Sequence, residues 1–91
     1  MIYVTAELQI KPEVDLIQAK QQIQTFCSDM ESEVGCVQAT ATYDVEDERR
    51  VILWERYQDQ AAIEAHFAMP HTQAFIALGL TELVKATNSR F

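Results

Sequence analysis

Two histidines and one mid-strand carboxylate are the residues of this chain best suited to chemistry. His66 and His71 are its only histidines. Imidazole has the unperturbed proton affinity closest to neutrality, which suits general acid–base work. His66 stands near Ile63 and Phe67, on the flank of an apolar helical face. It reads either as a half-buried core histidine bonded to a carbonyl or a Glu, or as a base that faces a substrate. His71 follows Pro70 and opens a new helical segment, where it serves as a junction contact or helps to orient the base. Glu55 follows the apolar Leu53 and Trp54 in mid-strand, an unusual place for a carboxylate. It is expected to pair with Arg50, Arg56 or a second chain, or to act as a base with raised proton affinity. The candidate catalytic set is therefore His66, with Glu55 or His71 as its orienting partner.

The spacing of the histidines argues against a shared metal. Five helical steps leave them roughly 140° apart on a regular helix, unlike the i, i+4 pairs of helical zinc sites. The chain has no glycine-rich phosphate loop, no dinucleotide fingerprint and no Ser/His/Asp arrangement. No cofactor and no metal are expected. Tyr57, Trp54, Tyr43 and Phe75 are candidates to wall a flat aromatic substrate, against the simpler reading of core packing. On a regular strand Trp54 and Tyr57 fall on opposite faces, whereas Glu55 shares a face with Tyr57 and Leu53.

The elements that must position these groups are legible in the hydrophobic periods. Ile2, Val4, Ala6, Leu8 and Ile10 alternate with polar residues, which predicts a strand ended by Pro12. Leu16, Ala19, Ile23, Phe26, Cys27, Met30 and Val34 recur every three or four positions, predicting an amphipathic helix over 14–33. Gly35 is expected to stop it in a left-handed conformation. Residues 36–45 and 50–57 read as two strands joined by the charged turn 46–49, an antiparallel hairpin. Asp59 is a candidate N-cap for a helix over 60–69. Pro70 interrupts it, and a further helix starts at 70–71 with Phe75, Ile76, Gly79, Leu80 and Leu83 on its apolar face. A short final strand is placed within 85–91. The order β-α-β-β-α-β predicts a ferredoxin-like α+β fold, with a four-stranded antiparallel sheet and helices on one face.

Composition limits the partners. The length of 91 residues predicts one domain spanning 1–91, and 48% hydrophobic residues exclude a disordered chain. Fourteen acidic against seven basic residues argue against nucleic acid and anionic membranes. No apolar run approaches the roughly 20 residues of a membrane helix. The apolar start is not preceded by basic residues, so a cytoplasmic location is expected. Cys27 and Cys36 are then expected as free thiols. So short a chain buries little surface alone, and the semi-polar outer face of the first strand asks for a cover. A homodimer is expected.

Several stretches together resemble the antibiotic biosynthesis monooxygenase family. They are Glu33-Val34-Gly35-Cys36, Leu53-Trp54-Glu55-Arg56-Tyr57, and Ala65-His66 followed by Met69-Pro70-His71 and Phe75. The pattern of residues 2–12 agrees. The resemblance implies a dimeric α/β barrel and a cofactor-independent monooxygenase acting with O2 on a quinol-like or polycyclic phenolic substrate. It equally admits a non-catalytic ligand-binding or stress-response homodimer, or an isomerase of a small hydroxy-ketone. The chain departs from the family pattern at Ala39, where many relatives carry an aromatic, and at Tyr57, where Trp is usual. The haem-degrading branch uses an Asn and a His at places matched here by Leu8 and Phe75–Ile76, which cannot ligate iron.

Overall fold

The computed structural model describes residues 1–91. Seven elements follow in the order β1 (Ile2–Ile10), α1 (Leu16–Glu31), β2 (Cys36–Tyr43), β3 (Arg50–Tyr57), α2 (Gln60–Ala68), α3 (Pro70–Ala77) and β4 (Thr81–Ser89). The four strands form one antiparallel sheet in the order β2-β3-β1-β4. This is the expected ferredoxin-like α+β arrangement, with the second helical segment split in two.

The alternation in β1 sets the layers. Ile2, Ala6, Leu8 and Ile10 are buried and join Val51, Leu53 and Tyr57 of β3 on the inner face. Ala19, Ile23, Phe26, Cys27 and Met30 of α1 complete the core against them. The outer face keeps Trp54 45% exposed. A polar lattice ties its side chains: Arg56 Nε donates to Gln38 Oε1 at 2.7 Å, and Trp54 Nε1 donates to Thr42 Oγ1 at 2.8 Å.

The helix ends follow local chemistry. The Asp15 carboxylate accepts from Gln18 N, and Asp59 accepts from Ala62 N, so both act as N-caps. Met69 is extended, with φ −67° and ψ 140°, and separates α2 from α3. A residue before proline is driven to this region because the pyrrolidine ring clashes with helical backbone. Pro70 then starts α3, where its missing N–H costs nothing.

Three expectations need correction. Gly35 does not stop α1 in a left-handed turn; Ser32 caps it in the ordinary helical region, and the one positive φ belongs to Gly79, at 64°. Leu80 and Leu83 do not extend the α3 face, because Gly79 ends that segment and Leu83 lies in β4. The last strand is nine residues long and starts at Thr81. It is an edge strand, exposed over most of its length, so no alternation marked it. No helix is long and apolar enough to cross a membrane.

Candidate functional site

The helices and the sheet enclose a cavity of about 330 Å³. Val4, Ala6 and Leu8 of β1 form its floor with Leu53, Glu55 and Tyr57 of β3. Phe26 of α1 and Phe75 of α3 form an aromatic wall, stacked at 4.3 Å with an interplanar angle of 4°. Ile63, His66 and Phe67 of α2 and Thr72 of α3 close the far side, while Leu83, Ala86 and Asn88 of β4 border it. The volume falls at the small end of the roughly 300–1,000 Å³ usual for small-molecule sites.

His66 and His71 are brought together. The break at Met69 abolishes the regular-helix geometry that set them far apart, and both rings turn to one carboxylate, that of Glu33. His66 Nδ1 lies 2.9 Å and His71 Nε2 lies 2.5 Å from the same Glu33 Oε2. Glu33 sits in the turn between α1 and β2 and is itself buried. A carboxylate oxygen only accepts, so each facing ring nitrogen carries a hydrogen and donates it. The Thr72 hydroxyl is 3.3 Å from His66 Nδ1.

That assignment fixes the other end of the His66 ring. His66 is 4% exposed. No protein group bonds its Nε2, yet no fully buried side-chain nitrogen or oxygen lacks a partner. Nε2 is therefore not sealed within the protein, and in the neutral ring it is the acceptor; His66 itself lines the cavity.

Glu33 escaped the sequence reading. It stood in the stretch Glu33-Val34-Gly35-Cys36, but nothing local marked it for chemistry, since its partners lie 33 and 38 residues away. The signal available was the glycine two residues on, Gly35. An added Cβ at Gly35 would stand 2.3 Å from the Ala62 side chain. Glycine lets the turn press against α2, which carries Glu33 under the His66 ring.

Glu55 is bonded by neither Arg50 nor Arg56. The Tyr57 hydroxyl donates to Glu55 Oε1 at 2.5 Å, both side chains lying on the cavity face. Burial raises the Glu55 proton affinity above the usual carboxylate range, against the lowering effects of the Tyr57 hydrogen bond and of His66. Burial, followed by the Glu55 charge, pushes the Tyr57 phenol far up, so it stays a donor.

Of the remaining candidates, Tyr57 and Phe75 line the cavity. Trp54 and Tyr43 do not. Trp54 faces the outer hollow of about 570 Å³ that Tyr3, Arg56 and Phe91 also border. Tyr43 packs under Lys20, whose Nζ lies 4.6 Å from its ring centre. Cys27 and Cys36 are buried free thiols.

This sheet with its helix-side cavity defines a ferredoxin-like α+β protein. The chain belongs to the antibiotic biosynthesis monooxygenase family, whose model matches residues 1–78. It is 32% identical over 84 residues to the uncharacterized protein YjcS of Bacillus subtilis, covering 91% of this chain and 79% of that one. A solved structure of protein YJCS superimposes with a TM-score of 0.90 at 28% identity, over 99% of this chain and 97% of the other. A structure described as an antibiotic biosynthesis monooxygenase gives 0.83 at 22% identity, covering 98% and 94%. Rv0793 of Mycobacterium tuberculosis gives 0.80 at 21%, covering 99% and 93%. The last two likenesses speak to the fold alone.

Proposed function

We infer that the chain is a monooxygenase that oxidises a small quinol-like or phenolic molecule with O2, using His66 as its base. One observation carries this reading: His66 lines an apolar, aromatic-walled cavity while Glu33 holds its Nδ1, which leaves Nε2 as the nitrogen free for a substrate. Family membership supports it.

The chemistry asks little of the protein. Nε2 takes a proton from a substrate hydroxyl, and the electron-rich anion reduces O2 itself. For a quinol, one oxygen atom enters a ring carbon and the other leaves as water, giving a hydroxyquinone. The substrate supplies all four electrons. The apolar walls keep bulk water from the anion. Glu33 fixes the His66 tautomer and stabilises the cation that forms, with His71 gripping the same carboxylate from the other side. Glu55, favoured in its protonated form by burial, is placed to donate to a second substrate oxygen. Tyr57 and Phe75 position the ring. A second copy of the chain is the proposed cover for the outer sheet face, where Trp54 is 45% exposed.

A base and an acid on one cavity also suit enolisation of a hydroxy-ketone. The stacked Phe26–Phe75 wall favours the flat aromatic substrate instead.

Oxygen uptake with a panel of quinols and no added cofactor tests the reading. His66→Gln, close in volume, should lower turnover by roughly 10²–10⁴ in a folded protein. Undiminished turnover in that variant removes His66 as the base. Absence of oxygen uptake across the panel, with turnover of a hydroxy-ketone, replaces the oxygenase by the isomerase.

A further inference from the structure

Glu33, His66 and His71 come from three different elements, yet one donor atom of each lies within 4.8 Å of the other two. Two imidazoles and one carboxylate are the donor set of many open zinc sites, and imidazole selects borderline transition metals over magnesium or calcium. We propose that these three side chains bind one divalent transition-metal ion, with zinc as the representative case.

The geometry is close to what such an ion requires. Zinc bonds of about 2.0–2.1 Å in a tetrahedron place donors about 3.3 Å apart. The donor separations are 2.9 Å from His66 Nδ1 and 2.5 Å from His71 Nε2 to Glu33 Oε2. The ion therefore needs an opening of less than about 1 Å at each of these two contacts, and the two ring nitrogens, which lie within 4.8 Å of each other, settle to the same spacing of about 3.3 Å. The parts that must yield are suited to it. Glu33 stands on a turn, and His71 lies on a different helix from His66, beyond the extended Met69. The His71 side chain is 23% exposed, which gives an entry route from solvent. The Thr72 hydroxyl, 3.3 Å from His66 Nδ1, is placed to bond a water in the fourth position. The cluster buries its one carboxylate without any Lys or Arg partner, so a cation adds the charge that the site lacks.

The ion replaces the hydrogens that the two rings now donate to Glu33. Once Nδ1 of His66 is a ligand, its ring hydrogen resides on Nε2. The cavity then meets a donor where it met an acceptor. Binding itself is independent of the oxygenase reading; a loss of turnover on metal loading rests on that reading.

The test uses tag-free full-length protein, stripped with chelator and dialysed against zinc. Elemental analysis should find one zinc per chain. Cobalt substituted for zinc should give the visible d–d bands of a tetrahedral site. His71→Ala, at the half-exposed ligand, should weaken zinc binding at least tenfold while circular dichroism stays native, and Glu33→Gln should do the same. Two results overturn the site: less than 0.1 zinc per chain at 100 µM free zinc (on the order of a weak-site threshold), or equal zinc content in wild type and both folded variants. If zinc binds as expected but leaves turnover unchanged, the metal site stands and His66 is not the base.

Discussion

Gly35 and Ala62 stand so close that a single methyl group does not fit between them. A Cβ built on Gly35 would lie 2.3 Å from the Ala62 Cβ and 3.3 Å from its Cα. The contact joins the turn bearing Glu33 to the helix bearing His66. Gly35→Ala must push the two apart, at an overpacking cost of about 1–3 kcal/mol. For a chain this short that lowers the melting temperature by roughly 4–24 °C. Ala62→Gly in the same chain should restore part of the loss, since it removes the atom that clashes. Thermal melts of the two single variants and the double variant check this. An unchanged melting temperature in Gly35→Ala would mean that the turn and α2 move apart freely.

Glu55 gives stability a pH dependence of definite sign. Burial raises its proton affinity in the folded chain, so the folded state holds this proton more tightly than the unfolded state. Its stabilising contribution is complete below the unfolded value, about 4.3, and disappears as pH rises through the folded value. Glu55→Gln keeps an acceptor for the Tyr57 hydroxyl but cannot ionise. The variant should therefore match wild type near pH 4 and exceed it in melting temperature at pH 8. A wild type that gains on the variant as pH rises would show the opposite, an ionised Glu55 preferred by the fold.

The cysteines should be slow to react. Burial, helped by nearby carboxylates, pushes both Cys27 and Cys36 up to about 11. Against a free thiol near 8.5, the thiolate fraction at pH 8 falls on the order of a hundredfold. Iodoacetamide at pH 8 should add two labels to the unfolded chain while the native chain gains almost none, as read by mass spectrometry. Equal labelling rates would place at least one thiol in solvent.

The sheet was legible because its inner face obeys a simple period. Ile2, Ala6, Leu8 and Ile10 alternate, and Leu53 and Tyr57 share their face with Glu55. The split helix was legible as well, since Pro70 restricts its neighbour whatever the tertiary context. β4 was underestimated because an exposed edge strand has no face to encode. The site was legible in part. His66, Glu55, Tyr57 and Phe75 line one cavity, yet the partner of His66 is Glu33 and not Glu55 or His71. Periodicity describes one element at a time. The Glu33 contact arises where a turn, α2 and α3 meet, and the non-helical Met69 decides it.

The two short helices also set how the cavity is entered. α2 has nine residues and α3 eight, each below the roughly 12–15 that hold a helix together unaided. Both depend on docking against a sheet and a sixteen-residue α1 that have their own packing. Segments of this kind open locally well before a domain melts. Were the pair to lift, it would carry His66, His71 and Phe75 away together and leave Glu33, Glu55 and Tyr57 on the remaining body. The roof of the cavity would then be its door, and the hydrogen bonds to Glu33 would re-form only once that flap had shut.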